Sequence, residues 1–229
     1  MTNNSEKEII EIRILHVYFK NRLRFENIPA LRAAISNIAG REHILFHHHD
    51  GRGYLYKYPK IQYKIASGKP MLFCIDTAIE ELAHFFSKAE RTMVIDGQKQ
   101  QIEVSSMRQH FFCLQVHKDL TKYCITNWLP LNQQNFKKYN SITSTRDKII
   151  FLEKILIANI LSFAKGVGWT IADEIKANMV DFPVFRIRRI KDVKMQIFNA
   201  VFETNVFLPN YTGLGKLSSI GFGTVKNIK

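Results

Sequence analysis

The spacing of apolar positions changes period several times along the chain, and each change predicts an element. Residues 8–19, EIIEIRILHVYF, concentrate Ile, Val and aromatics and predict a strand. Residues 28–38, IPALRAAISNI, switch to a helical period, with Asn27 as a cap and Pro29 in the first turn. The stretch HHHDGRG (47–53) reads as a loop or tight turn, and YLYKY, IQYKI and MLFCI then read as short strands. Residues 76–90, DTAIEELAHFFSKAE, predict an amphipathic helix capped by Asp76 or Thr77, and MVI (93–95) a fourth strand before Gly97. The order β-α-β-β-α-β is the ferredoxin-like plan. A β-rich stretch (101–128) follows, then the polar segment 128–139, a long helix over 147–167, strands through 183–209 and a last short strand at 224–228. This reads as a looser second copy of the same plan, inferred from element order because no internal sequence repeat is visible. The predicted fold is therefore α+β: two ferredoxin-like (RRM-like) lobes in tandem, residues 1–97 and 98–229, with a glycine-rich loop near the C-terminus.

Charge narrows the partner class. Lys and Arg number 33 against 20 Asp and Glu, a net charge of +13. Such an excess attracts polyanions, and phosphate neutralisation supplies most non-specific nucleic-acid affinity. No apolar run of membrane-spanning length and no long basic amphipathic helix is visible, and MTNNSEKEII carries no signal-peptide apolar run. A cytoplasmic protein without membrane contact is expected. Cys74, Cys113 and Cys124 lie far apart in apolar surroundings, which predicts buried small hydrophobes rather than a disulfide framework or a zinc knuckle.

The C-terminal segment YTGLGKLSSIGFGTVKNIK (211–229) holds Gly213, Gly215, Gly221 and Gly223 around Lys216, Ser218 and Ser219. Glycine permits positive φ and close backbone approach to a ligand, and the backbone N–H groups of such a turn can point at phosphate oxygens. A tight hairpin that merely needs glycine would look the same. Neither a Walker A loop nor a Rossmann fingerprint is present.

Ser219-Ile220-Gly221-Phe222-Gly223 is similar to the glycine-rich loop of the CRISPR repeat-cleaving endoribonucleases, the sixth Cas protein family. LFHHH (45–49), YKYPKIQYK (56–64), GKP (68–70), WLPLNQQN (128–135), LEKILIANILSFAKGVG (152–168) and GFGTVKNIK (221–229) resemble its b-type branch, in order and over nearly the whole chain. The resemblance implies an enzyme of two ferredoxin-like lobes that cuts repeat-containing precursor RNA into guide RNAs without a metal or cofactor. It also raises subunits of a CRISPR effector complex and a second copy of this chain as partners.

His47, His48 and His49 carry the candidate chemistry. Histidine alone titrates near neutrality without perturbation, so it can both accept and donate protons. RNA brings its own nucleophile, the 2′-OH; one group must take that proton and another must protonate or stabilise the 5′-oxygen leaving group. In an extended segment residues i and i+2 face the same way, so His47 and His49 share a face with His48 opposite. They are assigned jointly to the base and acid roles. His-x-His with Asp50 could instead hold zinc, but no further spaced Cys/His cluster supports that. Tyr56 follows His49 by seven residues, across Gly51-Arg52-Gly53, and its hydroxyl could reach the scissile phosphate or orient the nucleophile. Tyr54 and Tyr58 read as packed strand residues.

The charge developing at phosphorus needs a cation. Arg52, Lys57 and Lys64 are near in sequence, though strand alternation would turn Lys57 away from Tyr56. In the family the lysine is often on or near the first helix; there this chain offers only Arg32. Residues 186–194, RIRRIKDVK, form a basic ribbon with Arg186, Arg188 and Ile190 on one face and Arg189, Lys191 and Val193 on the other. It could grip RNA, or be an edge strand kept from aggregating by charge. Ile149, Leu152, Leu156, Ile160, Phe163 and Val167 recur at helical spacing as a core stripe. The other function class compatible with this reading is a repeat-RNA binding subunit with a degenerate site. A metal nuclease lacks the clustered carboxylates it would need.

Overall fold

The computed structural model describes residues 10–40, 42–47, 57–190 and 193–228. The first lobe contains β1 (Ile10–Phe19), α1 (Ile28–Ala39), β2 (Ile61–Ala66), β3 (Lys69–Ile75), α2 (Thr77–Phe86), β4 (Thr92–Ile95), β5 (Gln98–Gln101) and β6 (Val104–Leu114). Its four-stranded antiparallel sheet has the order β2-β3-β1-β6, the ferredoxin-like arrangement.

The fourth strand of this sheet is β6, not the predicted 93–95. Residues 92–95 belong to β4, which pairs only with β5. Asp96 and Gly97, both at positive φ, make the two-residue turn between them. This is the mirror-image turn that joins antiparallel strands with the right twist. Because β6 runs along β1 from Val104 to Leu114, a division after residue 97 would cut the first sheet.

Alternation along β1 explains how both faces of the sheet are used. Leu15, Val17 and Phe19 face α1 and α2, joining Leu31, Ile35 and Leu82 in one core. Ile12 and Ile14 point the other way, into a core shared with the second lobe. A strand buried on both faces reads as a nearly continuous apolar run, as residues 8–19 do. The lobes are therefore joined through packed side chains.

The second lobe contains β7 (Val116–Trp128), α3 (Gln133–Ser141), α4 (Thr145–Gly166), β8 (Ala177–Met179), β9 (Val184–Ile190), β10 (Val193–Val206) and β11 (Thr224–Asn227). Its sheet runs β11-β7-β10-β8, with β9 pairing the first half of β10. With β8 and β9 together as the second strand, this is the first lobe's plan again. The predicted polar segment contains α3, capped by the Asn132 side chain, which accepts from the Asn135 N–H at 2.7 Å. The predicted core stripe of α4 is buried at Leu152, Leu156, Ile160, Phe163 and Val167. Trp128 and Trp169 are buried too. One difference matters. Between β10 and β11, where the plan calls for a second helix, the described residues form an irregular glycine-rich loop with a single 3-10 turn, Ser218–Ile220.

Two smaller readings are corrected. Cys74 is buried, but Cys113 is exposed and Cys124 half-buried. Lys57 and Tyr58 precede β2 in irregular backbone, so strand alternation does not orient Lys57. Among the described residues no helix is long and apolar enough to cross a membrane.

Candidate active site

His47 ends a short 3-10 turn, Ile44–Phe46, that follows α1. The first helix sets its position. Arg32 donates from Nε to the Phe46 carbonyl at 3.4 Å and from Nη2 to the His47 carbonyl. The buried Tyr63 hydroxyl also donates to the Phe46 carbonyl, at 3.1 Å. Three donors on two successive carbonyls leave the start of the histidine segment little freedom, and charge-assisted bonds are the stronger kind. His48, His49, Asp50, Arg52 and Tyr56 lie outside the described residues, as does Lys191.

Packing explains the glycines of the glycine-rich loop. A side-chain carbon at Gly223 would lie 1.8 Å from the Leu214 carbonyl oxygen, and at Gly221 2.7 Å from Ile28 Cδ1 on α1. At Gly215 it would crowd the Asn159 amide of α4 at 2.9 Å, and at Gly213 the Gln62 amide at 2.6 Å. Gly221 donates its N–H to Ser218 O and Gly223 to Asn127 O. Gly213, Gly221 and Gly223 are buried. They shape the loop rather than present amides to a ligand, which corrects the expectation of direct contact at those three positions. Gly215 lines the cleft, Lys216 is exposed, and Ser218 and Ser219 also border it.

Arg32 of α1, the backbone before β2, one side of α4 and the loop frame one cleft of about 620 Å³, and Arg32 ties the His47 carbonyl to its edge. Arg32, Lys57, Lys154 and Lys216 bring positive charge to its walls, and no carboxylate lies among its described lining residues. Tyr58, Leu129, Pro130, Phe151 and Ile155 give it an apolar side, and Asn132, Asn135 and Asn159 add amides. Such a mixture suits phosphate with attached bases. Tyr58 packs on Phe163 of α4 as expected, though outside the strand it was read into: its hydroxyl accepts from Gln62 Nε2 at 2.8 Å and donates to Gly213 O at 3.0 Å. Burial pushes that hydroxyl well above the usual tyrosine range, so it remains a donor.

Lys64 does not reach the cleft, which corrects its assignment as an RNA contact. It is 1% exposed, and its Nζ donates to Thr224 Oγ1 at 3.2 Å, across the seam between β2 and β11. Burial pulls its ammonium down to about 7. In the basic ribbon, Arg188 is half-committed elsewhere: it pairs with Glu26 at 2.6 Å and lies over the Phe25 ring at 5.6 Å, fastening β9 to the first lobe. Arg186 and Arg189 are exposed. Strand β9 ends at Ile190, and Val193 pairs with Ile190 on β10, so Val193 does not share the face of Arg189.

Lys154 and Asn159 were not singled out from the sequence. For Lys154 the signal was present, because a core stripe at 152, 156, 160 and 163 leaves 154, 158 and 162 on the opposite face of α4; Asn159 lies beside the stripe and gave none. What the sequence lacked was the knowledge that this face meets the cleft.

Two ferredoxin-like lobes with a basic cleft at their junction define a class of tandem RRM-like protein. Within it the comparisons are specific: the Cas6b N-terminal domain family matches residues 10–112 and the Cas6b C-terminal domain family residues 115–228. The chain belongs to the Cas6b family. It is 34% identical over 115 residues to the uncharacterized protein MJ0978 of Methanocaldococcus jannaschii, covering 50% of this chain and 77% of that one. A crystal structure of Cas6b superposes with a TM-score of 0.87 at 27% identity, over 96% of this chain and all (100%) of that one. A second, described as the CRISPR RNA processing endoribonuclease Cas6b, gives a TM-score of 0.72 at 26% identity, with the same coverage.

Proposed function

We propose that this protein cleaves CRISPR precursor RNA within its repeats and releases guide RNAs. The carrying observation is that Arg32, which holds the start of the histidine segment through the Phe46 and His47 carbonyls, also lines the cleft walled by Lys216 and the glycine-rich loop, with no carboxylate among the described lining residues. Membership of the Cas6b family and the likeness to a structure described as a CRISPR RNA processing endoribonuclease support the same reading.

The scissile phosphate enters between the histidine segment and Lys216, with the half-buried Ser219 as a further donor and the buried Ser218 behind it. His47 and His49 share the base and acid roles, and Tyr56 donates to the phosphate. One imidazole takes the proton of the 2′-OH, whose oxygen attacks phosphorus; the other delivers a proton to the departing 5′-oxygen. Arg32, already bound to the carbonyls of the segment, supplies positive charge beside it and fills the place of the lysine absent from α1. No step uses a metal or cofactor. The products are a 2′,3′-cyclic phosphate and a 5′-hydroxyl. The reaction belongs in the cytoplasm, with repeat RNA as the principal partner; effector subunits or a second copy of the chain join the same complex.

Incubation of the purified full-length chain with repeat RNAs in excess EDTA tests this directly. Cleavage should proceed, should stop when the 2′-OH at the cut is replaced by hydrogen, and should leave the stated ends. A 5′-phosphate product, or activity lost to chelator and restored by magnesium, overturns the chemistry. Tight binding with no cleavage of any repeat points instead to a binding subunit.

A further inference from the structure

A second cluster of chemistry-bearing side chains lies on the helical side of the first lobe and takes no part in the proposed reaction. Glu81 and His84 stand three residues apart on α2, so they share one side of that helix. His43 sits in the turn after α1, held by its own N–H to Gly40 O at 3.2 Å and by the Phe46 N–H to its carbonyl at 3.1 Å. Its Nδ1 lies 3.0 Å from Glu81 Oε2, and its ring stacks on that of His84 with centroids 3.6 Å apart. One ligand atom from each of the three residues falls within 4.8 Å of the others. On the far side of the His43 ring, Nε2 faces the Glu42 carboxylate at 3.6 Å.

We propose that His43, Glu81 and His84 bind a single zinc-type divalent cation. Two imidazoles and a carboxylate are a common ligand set for zinc, which binds them at about 2.0–2.2 Å in tetrahedral geometry and leaves the fourth position to water. Tetrahedral ligands at that range lie about 3.4 Å apart, so the His43–Glu81 spacing is already close. His84 is exposed, which lets its ring turn until the lone pair converges on the ion. Glu42 stands beside the outward Nε2 of His43 at 3.6 Å, where a small turn of its carboxylate would give the carboxylate–histidine–metal relay that fixes the tautomer of a ligating imidazole. The nitrogen pair selects zinc-like ions over magnesium, which prefers oxygen ligands. RNA binding offers no use for these carboxylates, since they repel phosphate.

The ion would tie α2 to the turn that leads, four residues later, into His47. It is a structural clip and stands outside the cleavage chemistry, so this inference does not depend on the proposed function. Chelator-stripped full-length protein should be titrated with Co²⁺ and with Zn²⁺, without RNA. One equivalent of Co²⁺ should bind, with the visible bands of a tetrahedral site, and Zn²⁺ should displace it and raise the thermal midpoint. His84→Ala and Glu81→Gln should each weaken uptake at least about tenfold, while both variants cleave RNA in EDTA at the rate of the stripped parent. His117→Ala serves as the control and should bind as the parent does. No stoichiometric uptake overturns the proposal. So does uptake unchanged by both ligand variants, or uptake of magnesium in equal measure.

Discussion

The two lobes share one topological plan and differ at one step. In the first, α2 covers the sheet and closes its core. In the second, the glycine-rich loop stands where that helix would be, threaded between α1, β2 and α4. The helix version buries the sheet under its inner face. The loop version exposes Lys216 and half of α4 to a cleft while still filling the space behind it, because its glycines let backbone lie where side chains would otherwise collide. One plan thus supplies the anchor for the start of the histidine segment in one lobe and a cationic cleft wall in the other. The proposed function divides along the same line: rate from the first lobe, affinity from the second.

The largest expected effect tests that division. His47→Ala should lower single-turnover cleavage by roughly two to four orders of magnitude and leave filter-binding affinity nearly unchanged. An equal loss of affinity would break the assignment of rate to the first lobe.

Gly223→Ala comes next. Its methyl group would meet the Leu214 carbonyl oxygen at a backbone φ of +60°. Overpacking and a left-handed backbone together should cost about 2–4 kcal/mol, read as a fall in thermal midpoint with affinity falling in step. Ser219→Ala, in the same loop but removing only a hydroxyl, should lower affinity without that loss of stability.

Arg32→Ala should slow cleavage about tenfold to a hundredfold, since small misplacement of a reacting group has costs of that order. Arg32→Lys should rescue only part of it, because an ammonium cannot reproduce the forked contact with two carbonyls. A loss confined to KM would make Arg32 a binding residue instead.

At the seam between the lobes, Lys64 makes stability depend on pH. Its folded value of about 7 lies below the ordinary lysine value of 10.5. Between those limits the unfolded chain holds the extra proton, so stability should rise as pH rises through that window. Below about 7 both states are protonated and the full cost of the buried charge remains. Lys64→Met should remove this slope and stabilise the protein by about 1–4 kcal/mol near neutral pH, measured by denaturant titration from pH 6 to 10.

The smallest effect belongs to Lys216→Ala. Affinity should weaken modestly, and the slope of log affinity against log salt should drop by about one. A larger fall in cleavage than in affinity would move Lys216 from the wall to the chemistry.

The sequence by itself determined the first three strands and two helices of the first lobe, the +13 charge, the histidine and glycine motifs and the stripe that buries α4. These are local or additive properties, which a chain displays whatever its partners in space. Helix periods at 28–38 and 76–90 survived folding because the same residues that set the period fill the first lobe's core. The edge strand was misread as 93–95 because a short apolar run resembles any strand, and only pairing with β1 distinguishes β6. The Asp96-Gly97 turn was the overlooked local sign that 93–95 folds back on itself. Lys64 looked like a surface cation because charge is rarely buried. Its fate was decided by β11, which arrives from 160 residues away to cover it. The His43–Glu81–His84 cluster and the Arg32 contacts with Phe46 and His47 likewise join residues that are distant in sequence. Such contacts depend on how helices cross and where turns release the chain, and those are set by packing of the whole core rather than by any segment that contributes to it.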